Sequence, residues 1–263
     1  MSRFSPTRLL KSLGADTTPR VSDEPATDDA RNGHQFSDRS DYKSTWTALS
    51  TSQHDAAMWV AGYADEEQLA ATGGHTVAVL RRTVDIKPTD RILEIGCGLG
   101  RVGKLLAPEC AHWTGADISK NMLGVAEHRL SGLDNVDFVE LSTVGLSELE
   151  DNSFDLVYCT VVFMHLFEWD RFTYVQEAFR VLRPGGRCFF DNVDITSAHG
   201  KVFFAESAGY DLNERPPQIG MVSSGDELRT YGEWAGYEGI EIHRWDDAWV
   251  GLTAVKPLDG AVT

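Results

Sequence analysis

The feature that most constrains this chain is the run Glu94-Ile95-Gly96-Cys97-Gly98-Leu99-Gly100. It closes a short apolar segment, Arg91–Ile95, that reads as a β-strand. Glycine lets the backbone turn tightly and lets a ligand come close to it. Leu99–Leu106 reads as a helix stopped by Pro108, and its first turn would offer free N–H groups to that ligand. Ala111–Ala116 is a second apolar strand, and Asp117 stands at its end, twenty-one residues beyond Gly96. A carboxylate there can accept two hydrogen bonds from a ribose diol.

The same rhythm continues. Ser119 is placed to cap a helix reaching Leu130, and Val136–Leu141 and Phe154–Cys159 read as strands three and four. A helix from about Trp169 puts Phe172, Val175, Phe179 and Leu182 on one face. Arg183-Pro184-Gly185-Gly186 ends it, and Arg187–Phe190 is the fifth strand. Residues 194–222 break the rhythm with Gly200, Gly209, Pro216-Pro217 and Gly220, as an insertion over the carboxyl edge of the sheet would. Ser224 and Glu227 form a capping box for a helix to about Ala235. Ile240–Trp245 and Ala248–Val255 are the last strands. The pattern predicts an α/β fold: a doubly wound, Rossmann-like, mostly parallel seven-stranded sheet with an antiparallel edge strand and helices on both faces. Ahead of it, residues 1–40 show no apolar period and read as a disordered tail. Residues 41–74 carry Tyr42, Trp46, Trp59 and Tyr63 on short helices that Gly73-Gly74 breaks, before a helix His75–Val84.

Composition narrows the partners. The formal net charge is −16, and no third of the chain is net basic, which argues against nucleic acid and anionic membranes. The four cysteines form no C-x-x-C pair, as expected of reduced thiols in a cytoplasmic protein. The eight histidines show no metal-binding spacing, so no metal is expected. No apolar run approaches membrane-spanning length.

Gly98-Leu-Gly100-Arg-Val-Gly103 also fits the dinucleotide pattern G-x-G-x-x-G. That pattern needs its first glycine directly after the strand, and Gly98 comes two residues late. Glu94 inside the strand would repel a diphosphate and tolerate a cationic sulfonium bearing an ammonium group. At this point the chain resembles the class I S-adenosylmethionine-dependent methyltransferases, in their small-molecule branch. The resemblance covers roughly residues 75–255 and rests on LEIGCGLGR at 93–101, GADISKNML at 115–123, NSFDLVYCTVVFMHL at 152–166 and EAFRVLRPGGR at 177–187, in that order. It implies that S-adenosylmethionine is the cofactor and S-adenosylhomocysteine the product. It implies that Gly96, Cys97, Gly98 and Gly100, beside Glu94, line the methionine part. Asp117 would hold the ribose hydroxyls, Ile118 and Met122 would flank the adenine, and Thr160 would sit near the sulfonium. The family commonly has an acid after the third strand for the adenine amino group; here Ser142 stands there, with Glu140 two residues early. Either Ser142 or a backbone carbonyl would accept that bond. On this reading residues 41–74 are a helical lid, and 75–263 the methyltransferase domain with its substrate-side insertion at 194–222.

Methyl transfer needs alignment of the acceptor, and an oxygen acceptor also needs a base. His165 follows the fourth strand, and Asp191, Asp194 and His199 follow the fifth, so any of them is placed to serve. His165 equally fits a buried ring bonded to a backbone carbonyl. The expectation is a small organic acceptor methylated at oxygen. N- or C-methylation, an NAD(P)-dependent oxidoreductase and a non-catalytic cofactor-binding module stand as alternatives. Phe203, Phe204 and Tyr210 fit a lid or ordinary packing; Trp245 and Trp249 read as structural or as a homodimer contact.

Overall fold

The computed structural model describes residues 40–62, 64–211 and 214–258; the expected tail over 1–40 lies almost wholly outside them. Seven strands form one sheet: β1 (Arg91–Ile95), β2 (His112–Asp117), β3 (Val136–Glu140), β4 (Phe154–Cys159), β5 (Leu182–Val193), β6 (Glu238–Trp245) and β7 (Trp249–Val255). Their order is β3-β2-β1-β4-β5-β7-β6. β1 to β5 run parallel, and β7 pairs antiparallel with both β5 and β6. The antiparallel strand therefore lies between β5 and the edge strand β6.

Among the described residues, eight α-helices accompany the strands: α1 (Tyr42–Ala48), α2 (Gln53–Ala61), α3 (Glu66–Thr83), α4 (Gly103–Leu106), α5 (Lys120–Leu130), α6 (Glu168–Val181), α7 (Ala198–Ala208) and α8 (Gly225–Ala235). The central strands are buried on both faces, so most of their residues are apolar, with Glu94 of β1 and Asp117 of β2 as buried exceptions. Ile92, Leu156, Tyr158 and Phe189 pack towards Val77 and Leu80 of α3 and Leu123 and Leu130 of α5. Leu93, Val157, Cys159 and Phe190 pack on the other face, towards Val175 and Ala178 of α6 and Leu228 of α8. Ser119 and Ser224 accept from Met122 N and Glu227 N, capping α5 and α8 as expected. Among the described residues, no helix is long and apolar enough to cross a membrane.

Three boundaries differ from the sequence reading. Gly73-Gly74 does not break a helix: α3 runs through both and crosses the expected boundary between lid and domain. A Cβ on Gly73 would lie 2.6 Å from the Arg101 carbonyl oxygen, so α3 presses its glycine on the loop after β1. The helix is held by Asp65 accepting from Gln68 N, by Glu66 and Glu67 in its first turn and by Arg81 and Arg82 in its last. The helix expected over Leu99–Leu106 is only one turn, because Gly100 has φ +68° and the residues before Gly103 are turns. The insertion, read as irregular, contains α7, capped by Ser197.

Strand order reverses between β1 and β4, and a crevice opens at their carboxyl ends, where open α/β sheets bind ligands. The segment after β4 that walls this crevice is clamped by Arg171, whose side chain is fully buried. Its Nε donates to the Phe163 carbonyl (2.8 Å), and Nη1 to Ser223 Oγ (3.0 Å) and Glu227 Oε1 (2.9 Å). One side chain thus ties the loop after β4 to the end of the insertion and the start of α8.

Candidate functional site

The crevice holds two adjoining cavities. The first has about 910 Å³ of space, its open mouth included, and the second about 520 Å³.

The floor of the first is the loop after β1. Gly96 N and Cys97 N both donate to the Ala116 carbonyl, fastening the loop to the end of β2. Gly96 has φ +70°, and a Cβ there would lie 2.3 Å from Val162 Cγ2. Only glycine lets the loop turn under the segment that follows β4. Asp117 accepts from Gly98 N (Oδ2, 2.8 Å) and Ser119 N (Oδ1, 2.8 Å). An ionised carboxylate has about four acceptor positions, so about two remain for a ligand diol. Burial pushes Asp117 up to about 6 against these backbone bonds.

Behind the loop lies a dry network of charges. Glu94 is buried and accepts from Tyr158 Oη (2.6 Å), which itself accepts from Trp113 Nε1 (3.1 Å). Burial pushes Glu94 up to about 8. Arg101 is buried nearby and donates to Thr76 Oγ1 of α3 (3.1 Å). Burial pulls its guanidinium down, while Glu94 and Asp191 hold it up. Asp191 Oδ1 accepts from Val161 N (2.7 Å), and burial pushes its carboxyl up to about 7. Val161 has φ +62°, a left-handed conformation that is rare for a β-branched residue. The Asp191 bond holds it there, where both cavities meet.

The roof is the N-terminal helical segment. Tyr42, Trp46, Trp59 and Val60 face the first cavity. Tyr42 Oη donates to Asp170 Oδ2 (2.6 Å) and accepts from Phe167 N (3.1 Å). Lys43 Nζ donates to Glu140 Oε1 (2.7 Å), and Asn121 Nδ2 to the Thr47 carbonyl (3.1 Å). Trp46 sets its ring edge-on to His165, with centroids 4.9 Å apart.

The fold brings Glu94, Gly96, Cys97, Gly98, Asp117, Ile118, Met122, Thr160 and His165 to the first cavity. Gly100 lies outside it, against Leu130 and Ala126 of α5, and serves the turn. Ser142 is exposed, its N–H bonded to Glu148 Oε1 (2.9 Å); its neighbour Leu141 lines the cavity instead. β3 ends at Glu140, so Ser142 has already left the sheet edge. Asp191 lines the second cavity, not the first. Asp194 is tied to Arg244 Nε (2.8 Å) and Thr196 N (2.8 Å), and neither it nor His199 lines a cavity. The Cys97 thiol is pushed well up by burial and by Asp117 and Glu94, so it stays protonated and is no nucleophile. His165 Nδ1 lies 3.0 Å from the Gln218 carbonyl oxygen, so that nitrogen carries the hydrogen.

Sequence reasoning passed over Arg101, Tyr158 and the role of Trp245 and Trp249 as cavity walls. A basic residue directly behind an acidic glycine loop was the available signal for Arg101. The two tryptophans have none, since their place depends on how β7 folds back. Phe203 is packed in the core and Phe204 is exposed, so the insertion's aromatics do not line either cavity.

A sheet of this order, with a glycine loop after β1 and a buried carboxylate at the end of β2, has the layout in which open α/β folds hold nucleotides. Residues 93–190 match a family described as a methyltransferase domain. A ubiquinone biosynthesis O-methyltransferase of Aromatoleum aromaticum is 33% identical over 157 residues, 58% of this chain and 65% of that protein. Phosphoethanolamine N-methyltransferase 1 of Arabidopsis thaliana is 29% identical over 150 residues, 55% of this chain and 30% of that protein. The chain thus spans less than two thirds of either relative's length. In fold, it is similar to the Haemonchus contortus phosphoethanolamine N-methyltransferase 2 solved with S-adenosyl-L-methionine, with a TM-score of 0.58 at 19% identity over 78% of this chain and 60% of that one. Residues 93–190 thus match a methyltransferase domain, and the sheet is similar in fold to a methyltransferase solved with S-adenosyl-L-methionine.

The residues present fit that cofactor. The glycine cradle leaves room that a Cβ would fill, Asp117 keeps acceptor positions for a diol, and Glu94 lines the same cavity.

Proposed function

We propose that this protein transfers a methyl group from S-adenosylmethionine to an oxygen of a small organic acceptor. The observation that carries the reading is Asp117, braced by Gly98 N and Ser119 N at the edge of a cavity floored by the glycine loop. Gly96 and Gly98 admit the methionine part to the backbone. Asp117 receives the ribose hydroxyls. Ile118, Met122 and Leu141 supply the apolar walls for the adenine, with Cys97 and Thr160 completing the cavity. The cofactor supplies an electrophilic methyl carbon on a positive sulfur. The chain's own task is to align the acceptor, exclude water and take a proton. The N-terminal helices α1 and α2 act as the lid, with Tyr42, Trp46 and Trp59 over the cavity.

Oxygen as the methylated atom is supported by Asp191. A carboxylate whose pKa is pushed up to about 7 can take a hydroxyl proton near neutral pH. His165, with Nδ1 committed to Gln218, is the positioning residue that holds the wall after β4. The relatives' names include both O- and N-methyltransferases, so nitrogen is the second reading. The charge of −16 supports a small acceptor over a nucleic acid, and four buried free thiols support a cytoplasmic setting.

Calorimetric titration with S-adenosylhomocysteine and with NADH tests this. Micromolar binding of the first, weakened at least about tenfold in Asp117→Ala, is expected. Binding of NADH alone would overturn the reading in favour of a dinucleotide enzyme.

A further inference from the structure

The two cavities adjoin: Val60, Arg101 and Val161 line both, so the second chamber lies beside the proposed cofactor site. It is a small recess of about 520 Å³, space open to solvent included, and so suits a small molecule rather than a polymer. Its far wall is aromatic: the Trp245 and Trp249 rings stack within 10° of parallel with centroids 6.4 Å apart, and Phe189 is tilted 39° from Trp245 at 6.0 Å. Such a wall favours an aromatic ligand.

The chamber's charges are Arg101, in the turns that follow β1, and Asp191, near the carboxyl end of β5. Arg101 is buried, its side chain donates to Thr76 Oγ1, and Glu94 and Asp191 are the carboxyls that act on it. A guanidinium has five donors, so most of this one's capacity is unspent. Asp191 commits one oxygen to Val161 N. The strained Val161 is the post between the two chambers, and strain of this kind is kept where function needs a fixed wall.

We propose that the second chamber is the acceptor site and that it takes a planar aromatic hydroxyl compound, whose oxygen is met by Arg101 and whose proton passes to Asp191. This rests on the cofactor reading of the first cavity. The acceptor oxygen forms the new bond to the methyl carbon as the carbon–sulfur bond breaks, and the electron pair stays on sulfur. The hydroxyl proton goes to the Asp191 carboxylate and from there to solvent. A phenol fits this pair of groups, because it gives up one proton and then presents one negative charge to one guanidinium. A phosphate-bearing acceptor would set two negative charges beside Asp191 and is disfavoured.

The test uses the whole protein saturated with S-adenosylhomocysteine, with 4-nitrophenol as probe. Tryptophan fluorescence reads binding, and the visible absorption of the nitrophenolate reads its ionisation. The probe should quench the fluorescence, and its apparent pKa should fall by roughly one unit when bound. Arg101→Gln should abolish that fall. Thr72→Trp, which fills the chamber from a half-buried position on α3, should weaken probe binding at least about tenfold while leaving S-adenosylhomocysteine binding within about twofold. If the wild-type protein binds S-adenosylhomocysteine but not the probe, or if Thr72→Trp binds the probe as well as wild type, the acceptor assignment is wrong. Displacement of the probe by phosphoethanolamine would also overturn it. Failure to bind S-adenosylhomocysteine would instead overturn the reading of the first cavity, and this one with it.

Discussion

Gly96 carries two demands at once: a positive φ and a Val162 methyl group where its Cβ would stand. Replacing it with alanine strains the backbone and displaces the wall after β4. Gly96→Ala should therefore cost about 1–3 kcal/mol in urea unfolding, and it should also weaken S-adenosylhomocysteine binding. Asp117 differs in kind. It is held by backbone donors from the loop it serves, so its removal loosens Gly98 as well as the ligand contact. Both residues were legible from their spacing alone. Ser142 stands two residues past the end of β3, where its side chain is exposed and away from the cavity.

Helix α3 shows how a local rule gives way to packing. Two adjacent glycines cost a helix roughly 1 kcal/mol each relative to alanine, which is why they read as a break. Only one of them is needed. A Cβ at Gly73 would meet the Arg101 carbonyl oxygen at 2.6 Å, whereas nothing lies within 4 Å of one at Gly74. Gly74→Ala should stabilise the protein by about 0.5–1 kcal/mol, and Gly73→Ala should destabilise it. Opposite shifts in the denaturation midpoint would confirm that the helix is pressed on the loop at one point. Equal shifts would show that the contact carries no weight. The same contact places Thr76 beside Arg101, so the helix boundary and the site are one problem.

Across the whole molecule, the site is built from buried carboxyls. Burial pushes Glu94 up to about 8, Asp191 to about 7 and Asp117 to about 6. In the unfolded chain each releases its proton near pH 4. Between about pH 5 and 8 the folded state therefore holds protons that the unfolded state has lost, and stability falls as pH rises. Acids held low by a cation, such as exposed Glu140 beside Lys43, are already ionised in both states across that window and do not oppose the slope. The melting temperature of the ligand-free protein should drop from pH 5 to pH 8, as the unfolding free energy falls by about 1–4 kcal/mol per pH unit, most steeply at the acid end. Glu94→Gln keeps an acceptor for Tyr158 and should flatten the upper part of that slope. A melting temperature that rises across the window would contradict the picture of a dry, proton-holding site.

The alternation of apolar runs with capped helices, the order of the glycine loop and Asp117, and the closing antiparallel pair were all determined by the sequence itself. They depend on periodicity, caps and turns, which act over a few residues. Which polar groups share a cavity was decided only by the tertiary structure. Arg101, Asp191 and Trp249 are far apart in the chain and meet because β4 and β5 end at one edge and β7 folds back beside them. Their burial, and with it the charge state of the site, comes from that packing, because a carboxylate's pKa depends on the solvent it has lost and not on its neighbours in sequence.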